Sequence, residues 1–158
     1  MSFQHLPTTG GFPITFDYKT VDLIPFTSSL FFGSSTTYKI PESGWYRISA
    51  VGAGGSGGCA EDVLAIGSNR YAASGGGGGG FCERTLFLKK NTYVRMIIGA
   101  GGAAVASVGN GNEGGYTRIF NSEFNMTAWG GKGGLYATSG NVTILGGIGG
   151  HADAGDIN

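Results

Sequence analysis

Charge is scarce in this sequence. Ten Lys and Arg offset ten Asp and Glu, and charged side chains are 13% of 158 residues, about half the usual share. With no net field, nothing steers the protein onto DNA, RNA or an anionic surface. Neither a nucleic-acid partner nor membrane insertion is expected. A neutral surface of Ser, Thr, Asn, Tyr and bare glycine backbone suits carbohydrate, protein or repeated-subunit contacts better than polyanions. Cysteine is nearly absent, Cys59 and Cys82 being the whole complement. Two cysteines in a reducing compartment read as buried thiols, although both flank glycine segments and a bridge across them is sterically conceivable. No uninterrupted apolar run approaches the roughly 18 residues of a membrane helix. The opening Met1-Ser2-Phe3-Gln4-His5 has no basic n-region, which argues against a signal peptide and for synthesis in a cytoplasm. No stretch shows a 3.6-residue period either.

The residues for common active sites are missing too. His5 and His151 are the only histidines, too few for a histidine-rich metal centre. The stretch from His151 to Asp156 offers three possible ligands but no terminal Glu of a calcium loop. No Gly-Lys-Ser/Thr sequence exists, which removes a P-loop. The run Gly52-Ala53-Gly54-Gly55-Ser56-Gly57 imitates a dinucleotide loop, but Cys59-Ala60-Glu61-Asp62 opens no amphipathic helix to hold phosphate. Ser56 in Gly-Gly-Ser-Gly-Gly lacks the strand-to-helix turn and the partners of a nucleophile elbow. Glu61-Asp62 and Glu113 are isolated acids, unlike a glycosidase pair. Asn125-Met126-Thr127 and Asn141-Val142-Thr143 would accept glycans only in a secreted chain. We expect no cofactor, no metal and no enzymatic activity.

What is abundant is glycine, with 33 residues, 30 of them after position 43. The first part holds all four prolines (Pro7, Pro13, Pro25, Pro41) and many apolar residues. It reads as extended chain with proline breaks, and residues 1–35 are expected to dock or to join subunits. Residues 36–158 alternate strand-like segments with glycine clusters, an approximate repeat. The segments 45–51, 81–89, 92–98, 115–120, 125–129 and 141–145 are rich in residues that suit a pleated surface. On the first of them Tyr46, Ile48 and Ala50 share a face. Lys89-Lys90-Asn91-Thr92 predicts a hairpin turn.

The clusters are 52–58, 75–80, 99–102, 109–115, 130–134 and 146–150. Ordering Gly75–Gly80 costs roughly 3–6 kcal/mol relative to alanine, at about 0.5–1 kcal/mol per glycine. Aromatics at 12% and the placement of each cluster beside a strand nevertheless favour order over a linker. Glycine chains in a three-residue left-handed helix can bond one another when side by side, and only residues without Cβ permit that spacing. On this reading Gly78→Val is strongly destabilising. The expected fold is all-β, a jelly-roll-like sandwich with packed polyglycine II-like segments.

The order of elements resembles the glycine-rich domains of bacteriophage tail-fibre and tail-tip proteins over roughly residues 36–150. The resemblance rests on Thr37–Pro41 through Gly44–Gly55, then Gly75–Leu88, Tyr93–Gly102, Gly114–Thr117 and Ala128–Gly131. The tail from His151 to Asn158 departs from it, lacking a final apolar strand. The resemblance implies a virion component made in the host cytoplasm, often trimeric. Its partners would be other tail proteins and a host receptor, either a glycan or an outer-membrane protein. In adhesins of related style, a stack of polyglycine helices carries variable loops at its tip. Asn69, Arg70 and Tyr71 in 61–74, and Tyr136, Thr138 and Asn141 in 135–141, offer polar and stacking groups for receptor contact. A cap, decoration or assembly protein of the virion, without receptor binding, is the rival expectation.

Overall fold

The computed structural model describes residues 29–60, 72–137 and 144–155. The chain divides into two units, Met1–Phe31 and Phe32–Asn158. The described residues of the second unit carry nine strands and no helix: β1 (Thr36–Lys39), β2 (Gly44–Val51), β3 (Ala72–Ala73), β4 (Phe81–Leu88), β5 (Tyr93–Ile97), β6 (Thr117–Phe120), β7 (Asn125–Ala128), β8 (Tyr136–Ala137) and β9 (Ala152–Asp153). The protein is all-β.

Alternation sets the burial. On β2, Ala50 is buried and Tyr46 and Ile48 pack on the core, while Trp45, Arg47, Ser49 and Val51 are exposed. The strand pairs antiparallel with β4 along its whole length, from Gly44 opposite Leu88 to Val51 opposite Phe81. The other large sheet is antiparallel in the order β1-β5-β6-β7-β9. Val94, Met96, Ile119, Met126 and Ala128 from that sheet meet Ala50, Cys82 and Leu88 from the β2–β4 pair, with Ile40 and Phe124 completing one core. Period-2 patterning thus gives each of the two large sheets one face buried in the core.

Three expectations are corrected by the fold. The turn at Lys89–Thr92 exists, with Asn91 at a φ of 67°, a conformation that asparagine tolerates well. It does not close a hairpin, because β4 pairs with β2 and β5 pairs with β1 and β6. The turn carries the chain from one sheet to the other. Of the strand expected at 141–145, Ile144 and Leu145 are not in a strand and the remainder lies outside the described residues. The tail does supply a closing strand: β9 pairs with β7, Thr127 opposite Asp153 and Ala128 opposite Ala152. Two residues suffice because a sheet edge needs only backbone partners, so no apolar run announces it.

The glycine clusters hydrogen-bond to one another, run against run. Gly52, Gly55 and Gly58 donate to the carbonyls of Gly80, Gly77 and Ser74 at 2.8, 2.9 and 3.0 Å. The intervening Ala53, Ser56 and Cys59 donate to Gly115, Asn112 and Gly109. Gly131 and Gly134 donate to Ala53 and Ser56, and Gly147 and Gly150 to Gly75 and Gly78. Every series advances by three residues. Partners falling residue-for-residue in opposite order make 52–59 antiparallel to 74–80 and to 109–115. Partners advancing in the same order make 131–134 parallel to 53–56.

This spacing decides where a side chain fits. In 75–80, a Cβ at Gly76, Gly77, Gly79 or Gly80 would land on a carbonyl of a neighbouring run. At Gly75 and Gly78 it would meet nothing within 4 Å. The expectation for Gly78→Val is therefore wrong in its choice of residue: one position in three faces outward.

Candidate functional site at the far end and on one face of the glycine layer

The six runs form three out-and-back excursions. Residues 52–59 leave β2 and 74–80 return to β4; 99–103 leave β5 and 109–115 return to β6; 129–135 leave β7 and 146–151 return to β9. At the far end the excursions are held level. Gly58 donates to Ser74, Ser74 to Leu135, Cys59 to Gly109 and Gly111 to Gly134. The connections between outward and returning runs therefore all start from the end of the layer opposite the two large sheets.

Tyr136 is the one expected contact residue within the described chain. It is half-buried in β8, opposite Ala73 of β3, and its N–H donates to Asn110 Oδ1 at 2.8 Å. Asn69, Arg70, Tyr71, Thr138 and Asn141 lie outside the described residues. Their two segments have adjacent roots, because Ala72 sits opposite Ala137 in the β3–β8 register. In sequence they stand far apart.

A second cluster is not apparent from the sequence. On three of the runs the free position in three carries a side chain: Trp129, Lys132 and Leu135 on one run, Glu113 and Tyr116 on its antiparallel neighbour, Ile148 and His151 on the other neighbour. Cross-rows form between them. The Trp129 ring lies 5.7 Å from Tyr116 and 5.4 Å from His151, stacked on the latter at 20°. Trp129 Nε1 donates to Asp153 Oδ2 at 2.8 Å. One turn along, Lys132 Nζ bonds Glu113 Oε1 at 2.6 Å, both side chains being more than half exposed. The signal that could reveal it is the spacing Trp-Gly-Gly-Lys-Gly-Gly-Leu, two glycines between successive side chains.

Ser56 and the two cysteines have structural roles. Ser56 Oγ accepts the Asn112 N–H at 2.8 Å and so ties two runs together. Cys59 and Cys82 are free thiols. Cys82 is fully buried; desolvation pushes its thiol pKa up, and the Asp153 carboxylate adds to the shift.

Residues 28–158 match the family model described as a glycine-rich domain, and the chain belongs to that family. No curated protein matches the chain.

Proposed function

We propose that this chain is a bacteriophage tail-fibre or tail-tip structural protein that mediates attachment to a host receptor, without enzymatic activity. One observation carries the reading: three excursions of hydrogen-bonded glycine present their connections at a single end, remote from the core. Such a design fixes the residues that flank 61–71 and 138–143, with Ala72 opposite Ala137. That is what a recognition tip requires. Asn69, Arg70, Tyr71, Tyr136, Thr138 and Asn141 are the contact residues on this reading, facing a glycan or an outer-membrane protein.

We read the glycine runs as polyglycine II-like helices, supported by the three-residue recurrence of their hydrogen bonds. At about 3.1 Å per residue, a run of seven residues then spans roughly 20 Å. The jelly-roll-like sandwich beneath them and the virion location belong to the same proposal.

The working unit on this reading is a homotrimer, joined to other tail proteins through residues 1–35. The outer face of the β2–β4 pair supports association, since Trp45, Val51, Phe81 and Phe87 are all exposed there. Closed symmetry would bury such a face without runaway assembly. The same face also favours the rival reading, a cap or assembly part without a receptor.

Replacing 61–71 and 138–143 by short Gly-Ser connections separates the two. Particles that assemble but do not adsorb support attachment. Normal adsorption by the variant overturns it, and failed assembly with a folded variant chain favours the rival. Light scattering on the purified chain decides the oligomer, a clean monomer removing the trimer.

A further inference from the structure

The outer face of the five-stranded sheet gathers cations in a protein that has few. Strand alternation turns Val94, Met96 and Ile119 into the core, and so turns Tyr93, Arg95, Arg118 and Phe120 outward. Register places Lys39 opposite Tyr93 and Arg95 opposite Phe120. The Arg118 guanidinium stands 4.6 Å from the Phe120 ring centroid and that of Arg95 stands 5.4 Å from the same ring. Lys39 Nζ lies 5.8 Å from the ring of Tyr93. Arg118 is further held by its Nε, which donates to Asn125 Oδ1 at 2.7 Å.

None of the three cations forms an ion pair among the described residues, whereas Arg47, Lys90 and Lys132 all do. Two carboxylates belong to this sheet's surroundings: Glu123, on the β6–β7 turn, and Asp153, on the edge strand β9. Glu123 helps to line the open depression that Arg95 and Phe120 border. Asp153 already accepts from the Trp129 indole. Two guanidiniums sharing one aromatic ring repel each other, and an anion between them relieves that repulsion while accepting planar, paired hydrogen bonds.

We infer that this face binds an acidic saccharide, its carboxylate or phosphate held by Arg95 and Arg118 with Lys39 behind them. Charge complementarity sets the anion. The rest of the surroundings set the sugar: Asn91, Thr92, Asn121 and Ser122 line the same depression with amides and hydroxyls suited to sugar hydroxyl groups. A net charge of zero supplies no long-range attraction for an extended polyanion. The site lies at the sheet end, away from the excursion tips, and does not depend on the tip reading.

The test is calorimetric titration of the full chain with tetragalacturonate, with neutral maltotetraose and a single-stranded oligothymidylate as comparisons. The acidic tetrasaccharide should bind, more weakly as salt rises, and at least tenfold more tightly than the neutral one. Arg95→Ala and Arg118→Ala should each weaken it about fivefold or more, with Arg118→Lys retaining part of the affinity. Arg47→Ala, on the other sheet, should leave it unchanged. Melting curves identify any variant that fails to fold, and Arg118→Lys then carries the comparison. No binding of the acidic sugar, equal binding of the neutral one, tighter binding of the oligonucleotide, or indifference to both arginine variants overturns the inference.

Discussion

Trp129 and His151 are joined twice: their rings stack 5.4 Å apart, and the Trp129 N–H donates to the His151 carbonyl at 2.8 Å. The backbone bond fixes the level of two antiparallel runs, and the equal level places the rings face to face. Side-chain contact on this face is a consequence of glycine register.

Replacing His151 by Ala should therefore leave the layer intact and cost about 0.5–1.5 kcal/mol, the range for an aromatic ring pair. In a Trp45→Phe background, where Trp129 is the remaining indole, the emission should shift. Unchanged emission would show that the stack does not persist in solution.

Gly78 and Gly79 should behave oppositely. A Cβ at Gly78 meets nothing within 4 Å, whereas at Gly79 it lands on the Gly52 carbonyl. Gly78→Ala should fall within about 0.5 kcal/mol of the parent. Gly79→Ala should cost roughly 3 kcal/mol or more, because backbone cannot move aside as a side chain can. Urea denaturation of the two variants makes the comparison, and similar midpoints would refute it.

Amide exchange should carry the same period. Gly77 and Gly80 donate to Lys132 and Trp129 at 2.8 Å each and should exchange slowly. Gly78, whose carbonyl accepts from Gly150, has an N–H with no backbone acceptor among the described residues and should exchange faster. Uniform exchange across 75–80 at free-peptide rates would remove the ordered layer altogether.

Alkaline stability should depend on Cys82. Its folded pKa is raised above the ordinary 9.0 by burial first and by Asp153 second. The unfolded chain therefore loses this proton first. The contribution is complete below pH 9.0 and declines as pH climbs from there through the folded value. Cys82→Ala should lower stability near neutrality, through lost packing, but flatten the decline above pH 9.0. A thiol reagent should modify Cys59 before Cys82; the reverse order would contradict the burial.

Strands with period-2 alternation were legible: the face of Tyr46, Ile48 and Ala50 is the face that β2 buries. Pairing was not. The hairpin signal at Lys89–Thr92 marked a real turn, but whether β4 returns on β5 or crosses to β2 depends on which apolar faces meet in the core. β3, β8 and β9 have two residues each, too few for any period. The candidate contact residues could be chosen by side-chain chemistry, while the adjacency of Ala72 and Ala137 comes from glycine register. The cationic face was hidden by the neutral total, since Lys39, Arg95 and Arg118 are scattered in sequence and meet only by strand pairing.

The mixed directions within the glycine layer also fix an order of folding. The carbonyls of Ala53 and Ser56 find their donors only at Gly131 and Gly134, which leave the ribosome much later. The first excursion bonds within itself and to the second, but these two carbonyls must wait until the third exists. Pairings so distant along the chain are slow to form. A nascent chain stopped short of Gly131 would retain a core but no finished layer, whereas the completed chain would resist local fraying. The finished layer would then arrive late.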